Sequence, residues 1–233
     1  MVLTPGALAT PPERVTTPDF HDIDDPEARK EAALAALAAT RAARVDALRA
    51  PVLEALGGAK LITLEVGCGH WHFLEDYAKE HPGEFCIGID LRTKRIEKGN
   101  RKRDRSGQCN LVFMKAEFTE FLDALPADVR LGKIFFLFPD PWPKARHHRY
   151  RMIQTATLDS LAAKAAPGCR LHFRTDHADY FEWAQEHVRI NAHWAINPEL
   201  HWPFERETFF QKLLPDYQSL IAELTPADAT REG

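Results

Sequence analysis

The sequence predicts a doubly wound α/β fold on a mostly parallel sheet, preceded by an N-terminal helical extension. Three observations carry this expectation. From Leu61 onward, short apolar runs alternate with polar stretches of helical character. The runs are rich in β-branched and aromatic residues on both faces, as strands covered on both sides must be. Glycines and acids stand just after the runs, where an open parallel sheet presents its ligand-binding crevice.

The elements follow in order. Residues 1–24 read as a flexible arm rich in Pro and Thr. A helix follows, with Asp25 as its cap, Pro26 in its first turn and Pro51 at its end. Leu34, Leu37, Val45 and Leu48 give that helix a partial apolar stripe, which predicts packing on the main domain. The expected division is therefore arm and helix over 1–50 and the main domain over 51–233. Strands are expected at 61–66, 85–90, 111–116, 133–138 and 169–175. Helices are expected near 72–80, 93–104, 118–125, 151–165 and 177–190. "HWAI" and "TFFQKLL" near the end read as late strands.

The totals exclude several classes. No apolar run of the 233-residue chain approaches the roughly 18–20 residues of a membrane span. The first residues lack the pattern of a secretory signal. Cys68, Cys86, Cys109 and Cys169 form no CxxC pair, so no metal site is expected and a reducing cytoplasm is the expected home. The formal net charge is −4, yet eight basic residues against two acids lie between Arg92 and Arg105. Such segregation suits an anionic partner on one face. The alternative is a solvated helix face.

The strand ends suggest a ligand. Gly67 and Gly69 allow a tight turn and close approach after the first strand, although a lone GxG also marks an ordinary strand-to-helix turn. Asp90 follows Gly69 at the spacing of an acid that binds ribose hydroxyls. Glu117 has two readings, an acceptor for an adenine amino group or a carboxylate at a helix N-terminus. The chain has neither a third glycine for a dinucleotide turn nor a Walker lysine. Glu65 would repel a pyrophosphate but suits a cationic ligand. The expected cofactor is S-adenosylmethionine, which carries an ammonium and a sulfonium and no phosphate.

"LEVGCGHWHFL", "IGIDLRTKRIEKG", "FFLFPDPWPKARHHRYR", "FRTDHADYFEWA" and "ETFFQKLL" together resemble the bacterial tRNA (guanine-N7)-methyltransferase family. The likeness spans about residues 60–221, and the third and fourth motifs are its most specific part. The resemblance implies a seven-stranded methyltransferase sheet, S-adenosylmethionine as donor, and N7 of a guanine in the tRNA variable loop as acceptor. It implies that Glu65, Asp90, Glu117 and Asp140 contact the donor, with Asp140 also catalytic. It implies substrate contacts for Lys144, Asp176, Thr208 and Gln211, and an RNA-facing segment from Arg146 to Arg151, including His147, His148 and Arg149. The resemblance leaves open a monomer or a homodimer, and involves no membrane.

Three residues depart from the family pattern. Trp71 stands where a further glycine is usual, and is expected to force a different turn or to crowd the donor. Glu117 replaces an aspartate. Gln211 replaces a glutamate. Guanine N7 carries an in-plane lone pair and no proton, so the chemistry asks for alignment rather than a strong base. Asp140, stiffened by Pro139, Pro141 and Pro143, suits a carboxylate that stabilises migrating charge or holds the guanine edge. Trp142 either stacks on a base or fills the core. Asp176 either meets the base or caps the following helix. Rival readings are an RNA-binding module without donor binding, motivated by Trp71, and a methyltransferase acting on a substrate other than RNA.

Overall fold

The computed structural model describes residues 25–205 and 216–226. The chain divides into two compact units after Ala47. The second unit is built on a seven-stranded sheet in the order β3-β2-β1-β4-β5-β7-β6. The strands are β1 (Leu61–Val66), β2 (Phe85–Asp90), β3 (Leu111–Lys115), β4 (Arg130–Leu137), β5 (Ala165–Thr175), β6 (Trp194–Ile196) and β7 (Gln218–Leu224). β1 to β5 pair in parallel, and β7 pairs antiparallel to β5 and β6. Helices α2 (His72–Glu80), α3 (Thr93–Ser106), α4 (Phe118–Ala124) and α5 (Thr155–Ala162) make the crossovers, and α6 (Ala178–Ile190) leads to β6.

The apolar runs become strands for the expected reason. In β1 every residue from Ile62 to Val66 is buried, Glu65 included. β1, β2 and α2 fall on their expected bounds. β5 starts earlier than expected, at Ala165. The helix expected over 151–165 is shorter. A 3-10 helix, Ala145–Tyr150, and an extended Arg151 precede α5. β7 was not anticipated, because "QSLIAEL" is as good a helix sequence as a strand. Its pairing with β5 settles the matter. "HWAI" forms β6, whereas "TFFQKLL" lies outside the described residues.

Pro51 does not end the first helix. Helix α1 spans Pro26–Leu56 and carries Pro51 inside it. Proline removes one backbone donor there, but the next turn buries Val52 and Leu56 at 0% and 2% exposure, which offsets the loss. The stop is Gly57, at φ 56°. Asp25 caps the start by accepting the Glu27 N–H at 3.0 Å.

A core of Trp71, Phe73, Leu74, Tyr77, Phe113 and Phe135 fills the space around α2 and α3. At the outer edge of β3, the Asn100 side chain donates to the Phe113 carbonyl at 2.7 Å and accepts the Phe113 N–H at 3.0 Å.

Candidate active site at the carboxyl edge of the sheet

Strand order reverses between β1 and β4, which opens a crevice at their carboxyl ends. Acids stand at or just past five adjacent strand ends. Glu117 follows β3, Asp90 closes β2, Glu65 lies near the end of β1, Asp140 follows β4 and Asp176 follows β5.

The β1–α2 turn is pinned to β2. The N–H groups of Gly67 and Cys68 donate to the Ile89 carbonyl at 2.9 and 3.0 Å. Gly67 and Gly69 take φ of 71° and 49°, and a Cβ at Gly67 would project into open space. The Gly69 N–H donates to Asp90 Oδ2 at 3.0 Å, and the Arg92 N–H to Asp90 Oδ1 at 2.7 Å. Arg95 approaches the same carboxylate at 3.8 Å. Asp90 therefore shapes the turn as well as facing the crevice. Glu65, Gly67 to Phe73, Leu137 and Phe138 line a narrow cleft of about 50 Å³. Glu65 is 4% exposed, and its Oε2 meets no hydrogen-bond partner among the described residues. Burial, reinforced by the Asp90 charge, pushes its carboxyl up to about 8.

Trp71 stands at the start of α2 and lines the same cleft. It adopts φ 57° and ψ −8°, a left-handed conformation that a bulky side chain rarely takes. Its ring is 6% exposed and belongs to the core. A Cβ on Gly99 would come within 3.1 Å of that ring, and Lys102 lies 4.8 Å from its centre. The indole packs under α3.

Glu117 takes the capping role. Its Oε2 accepts the Glu120 N–H at 3.0 Å and the Thr119 hydroxyl at 2.7 Å. Asp176 is exposed and does not cap α6. His177 does so by accepting the Tyr180 N–H through Nδ1 at 3.4 Å.

The corner after β4 is built from two left-handed residues, Phe138 at φ 50° and Trp142 at φ 44°. Between them Asp140 is exposed, and it forms no hydrogen bond with a described residue. Lys144, Arg146 and Arg149 are also exposed, as expected of a cationic rim. Arg146 Nε donates to His147 Nε2 at 3.3 Å. His148 turns inward, with Nε2 3.9 Å from Asp179 and its ring edge-on to Trp183.

Arg151 is a correction. It is 1% exposed and cannot present a cation to a surface ligand. Its Nε donates to the Pro141 carbonyl at 2.9 Å, its Nη2 donates to Asp179, and the guanidinium lies about 5 Å from the Tyr180 and Trp183 ring centres. It clamps the corner to α6. Trp142 is likewise not a core residue. It is half-buried and borders Tyr150 and His147. Thr208 and Gln211 lie outside the described residues.

The basic block divides. Arg95 turns to Asp90, Lys102 binds the buried Glu75 at 2.7 Å, and Arg103 pairs with Asp104. Arg92, Lys94, Lys98, Arg101 and Arg105 remain exposed. One buried cation escaped the sequence reading. Arg174, near the end of β5, is 3% exposed and binds Glu205 and Ser219. Its signal was an arginine two residues past His172, on the buried stretch of β5. Among the described residues no group of three or more His, Cys, Asp or Glu is placed to hold a metal ion. Nor is any described helix long and apolar enough to cross a membrane.

Comparisons with known proteins agree with this geometry. A tRNA (guanine-N(7)-)-methyltransferase of Rhodospirillum rubrum is 34% identical over 169 residues, 72% of this chain and 64% of that protein. Its counterpart in Caulobacter vibrioides is 34% identical over 136 residues, 58% of this chain and 60% of that protein. The chain thus spans about three-fifths of the length of these relatives. Among solved structures, the 16S rRNA methyltransferase KamB superposes with a TM-score of 0.54 at 17% identity, over 74% of this chain and 92% of that one. The aminoglycoside resistance methyltransferase NpmB1 gives 0.52 at 19% identity, over 76% and 93%. At such identities the likeness shows the shared fold alone. Residues 59–211 match the family model described as "Putative methyltransferase". With that match over most of the sheet and its crevice, the chain belongs to this methyltransferase family.

Proposed function

We propose that this chain transfers the methyl group of S-adenosylmethionine to N7 of a guanine in tRNA. The observation that carries the reading is Glu65. It is a buried carboxylate without a described partner, opening on a glycine-walled cleft beside a rigid corner that presents Asp140 and a rim of cations. The names of the relatives support the acceptor.

The residues present fit the donor. Glu65 would face its ammonium group, and the space beyond Gly67 admits a ligand that a side chain would exclude. Asp90 would take the ribose hydroxyls with its remaining lone pairs, and Glu117 the adenine edge with Oε1. A pyrophosphate cofactor would instead meet the acids of the crevice. When bound, S-adenosylmethionine supplies an electrophilic methyl group. The chain's own work is to align the acceptor, since N7 has no proton to remove. Asp140 holds the guanine edge and stabilises the positive charge that develops on the purine. Asp176 faces the same base. Lys144, Arg146, Arg149 and His147 meet the phosphates, and Thr208 and Gln211 are assigned to the acceptor from their motif alone. The transferase is assigned to residues 51–233. The free thiols Cys68, Cys86, Cys109 and Cys169 suit a reducing cytoplasm.

The test is incubation of purified protein with unmodified tRNA and methyl-labelled donor, followed by nucleoside analysis. Label in 7-methylguanosine is the expected result. Label in another nucleoside, or none, overturns the reading.

A further inference from the structure

The corner after β4 carries an aromatic group that the proposed chemistry leaves unused. Trp142 and Tyr150 stand with ring centres 5.2 Å apart and planes inclined at 52°. The two rings are tilted against each other and not stacked face to face. The His147 ring meets Trp142 edge-on at 5.8 Å. Tyr150 is 48% exposed, and Trp142 is partly so.

Trp142 differs from Trp183 and Trp194. The indole N–H groups of Trp183 and Trp194 donate to the backbone carbonyls of Ile153 and Leu158 at 2.8 and 2.9 Å. That of Trp142 reaches no partner among the described residues. Trp142 also holds a φ of 44°, a conformation of some cost for a bulky side chain, and gains no core burial in exchange. The segment that carries both rings is basic, with Asp140 before it and Asp179 of α6 beside His148. No acid occurs from Pro141 to Arg151, while Lys144, Arg146 and Arg149 are exposed. The Arg149 guanidinium lies 4.9 Å from the Tyr150 ring centre and donates to its hydroxyl at 2.9 Å.

We propose that Trp142 and Tyr150 form a stacking platform for one unstacked base of the RNA, next to the guanine that is methylated. This rests on the RNA-acceptor reading above and adds a specificity element to it. Aromatic faces beside cations take single-stranded bases, each of which offers a π-face, with the phosphates held alongside. A regular RNA duplex has its bases stacked and offers no such face. The platform therefore selects a loop or a splayed strand. An apolar protein surface is a poorer occupant, because the aliphatic residues it would need are missing from the patch.

The experiment titrates tRNA and a short single-stranded RNA against the full chain and its Tyr150→Leu, Tyr150→Phe and Trp142→Leu variants, at several salt concentrations. Intrinsic tryptophan fluorescence is recorded throughout. Tyr150→Leu is expected to weaken binding roughly tenfold with an unchanged salt slope, because stacking releases no counterions. Tyr150→Phe restores the affinity. Single-stranded RNA quenches the fluorescence more than duplex RNA does, and Trp142→Leu removes that difference. Wild-type affinity in Tyr150→Leu, or equal quenching by duplex and single strand, overturns the platform even if tRNA is methylated. RNA binding with the expected quench but no methyl transfer supports the platform and overturns only the assigned reaction.

Discussion

The Arg174 guanidinium lies 3.8 Å from the centre of the Trp202 ring while binding Glu205 at 2.6 and 3.0 Å. The cation is 4% exposed and its carboxylate partner 61%. Two contacts of one residue should therefore differ in worth. Arg174→Ala loses a dry ring contact and the Ser219 bond, about 2 kcal/mol or more. Glu205→Ala removes a solvent-screened partner and costs under about 1 kcal/mol. Urea unfolding of both variants decides it; equal losses would mean that the ion pair dominates.

Glu65 predicts a pH-dependent response. Its folded pKa of about 8 lies above its ordinary value. The ligand-free protein is stabilised fully below pH about 4.5, and this contribution fades as pH rises through 8. Glu65→Gln should flatten that decline in thermal melts. A cationic donor draws out the ionised form, so binding near pH 7 should release close to one proton. Titration calorimetry in buffers of different ionisation heat reads this directly. No proton release would place the ammonium elsewhere.

Arg151 predicts a loss of stability and not of phosphate contact. Arg151→Met keeps much of the volume but frees the Pro141 carbonyl and Asp179. The expected cost is about 1–3 kcal/mol in urea unfolding. The salt slope of tRNA binding should stay unchanged. A slope shallower by about one unit would return Arg151 to the RNA interface.

Asp140 predicts the reverse. It is exposed, so Asp140→Ala should alter stability by no more than about 0.5 kcal/mol. Methyl transfer should fall by roughly a hundredfold or more while RNA affinity is largely kept. Single-turnover assays with labelled donor separate the two. Near-normal turnover would remove Asp140 from the chemistry.

Trp71 predicts a core phenotype. Trp71→Gly relieves a left-handed backbone but empties a packed site, for a net loss of about 3 kcal/mol. Gly99→Ala should also destabilise, since its Cβ would meet Phe113 at 2.9 Å and Trp71 at 3.1 Å. Thermal unfolding of the two variants is the check.

The residues that betrayed themselves in the sequence are those whose periodicity or position along a strand is local. β1 and β2 were legible because their apolar runs are bounded by glycine or acid, and Glu65, Asp90 and Asp140 because strand ends mark the crevice. What was not legible depends on distant partners. Arg151 and Arg149 differ little in sequence context. One is buried because Asp179, Tyr180 and Trp183 arrive from α6. Lys102 left the basic face because Glu75 of α2 lies beneath it. β7 needed β5 to become a strand.

The Asn100 amide occupies both the donor and the acceptor of Phe113 on the outer side of β3, and Arg103 reaches the Leu111 carbonyl at 3.4 Å. These two side chains act as a seam binding. A newcomer strand would have to strip α3 of its anchors before it could lengthen the sheet there. Assembly of copies by ribbon-like extension along that border is thereby blocked, and the chain is guarded against fibrous growth from it.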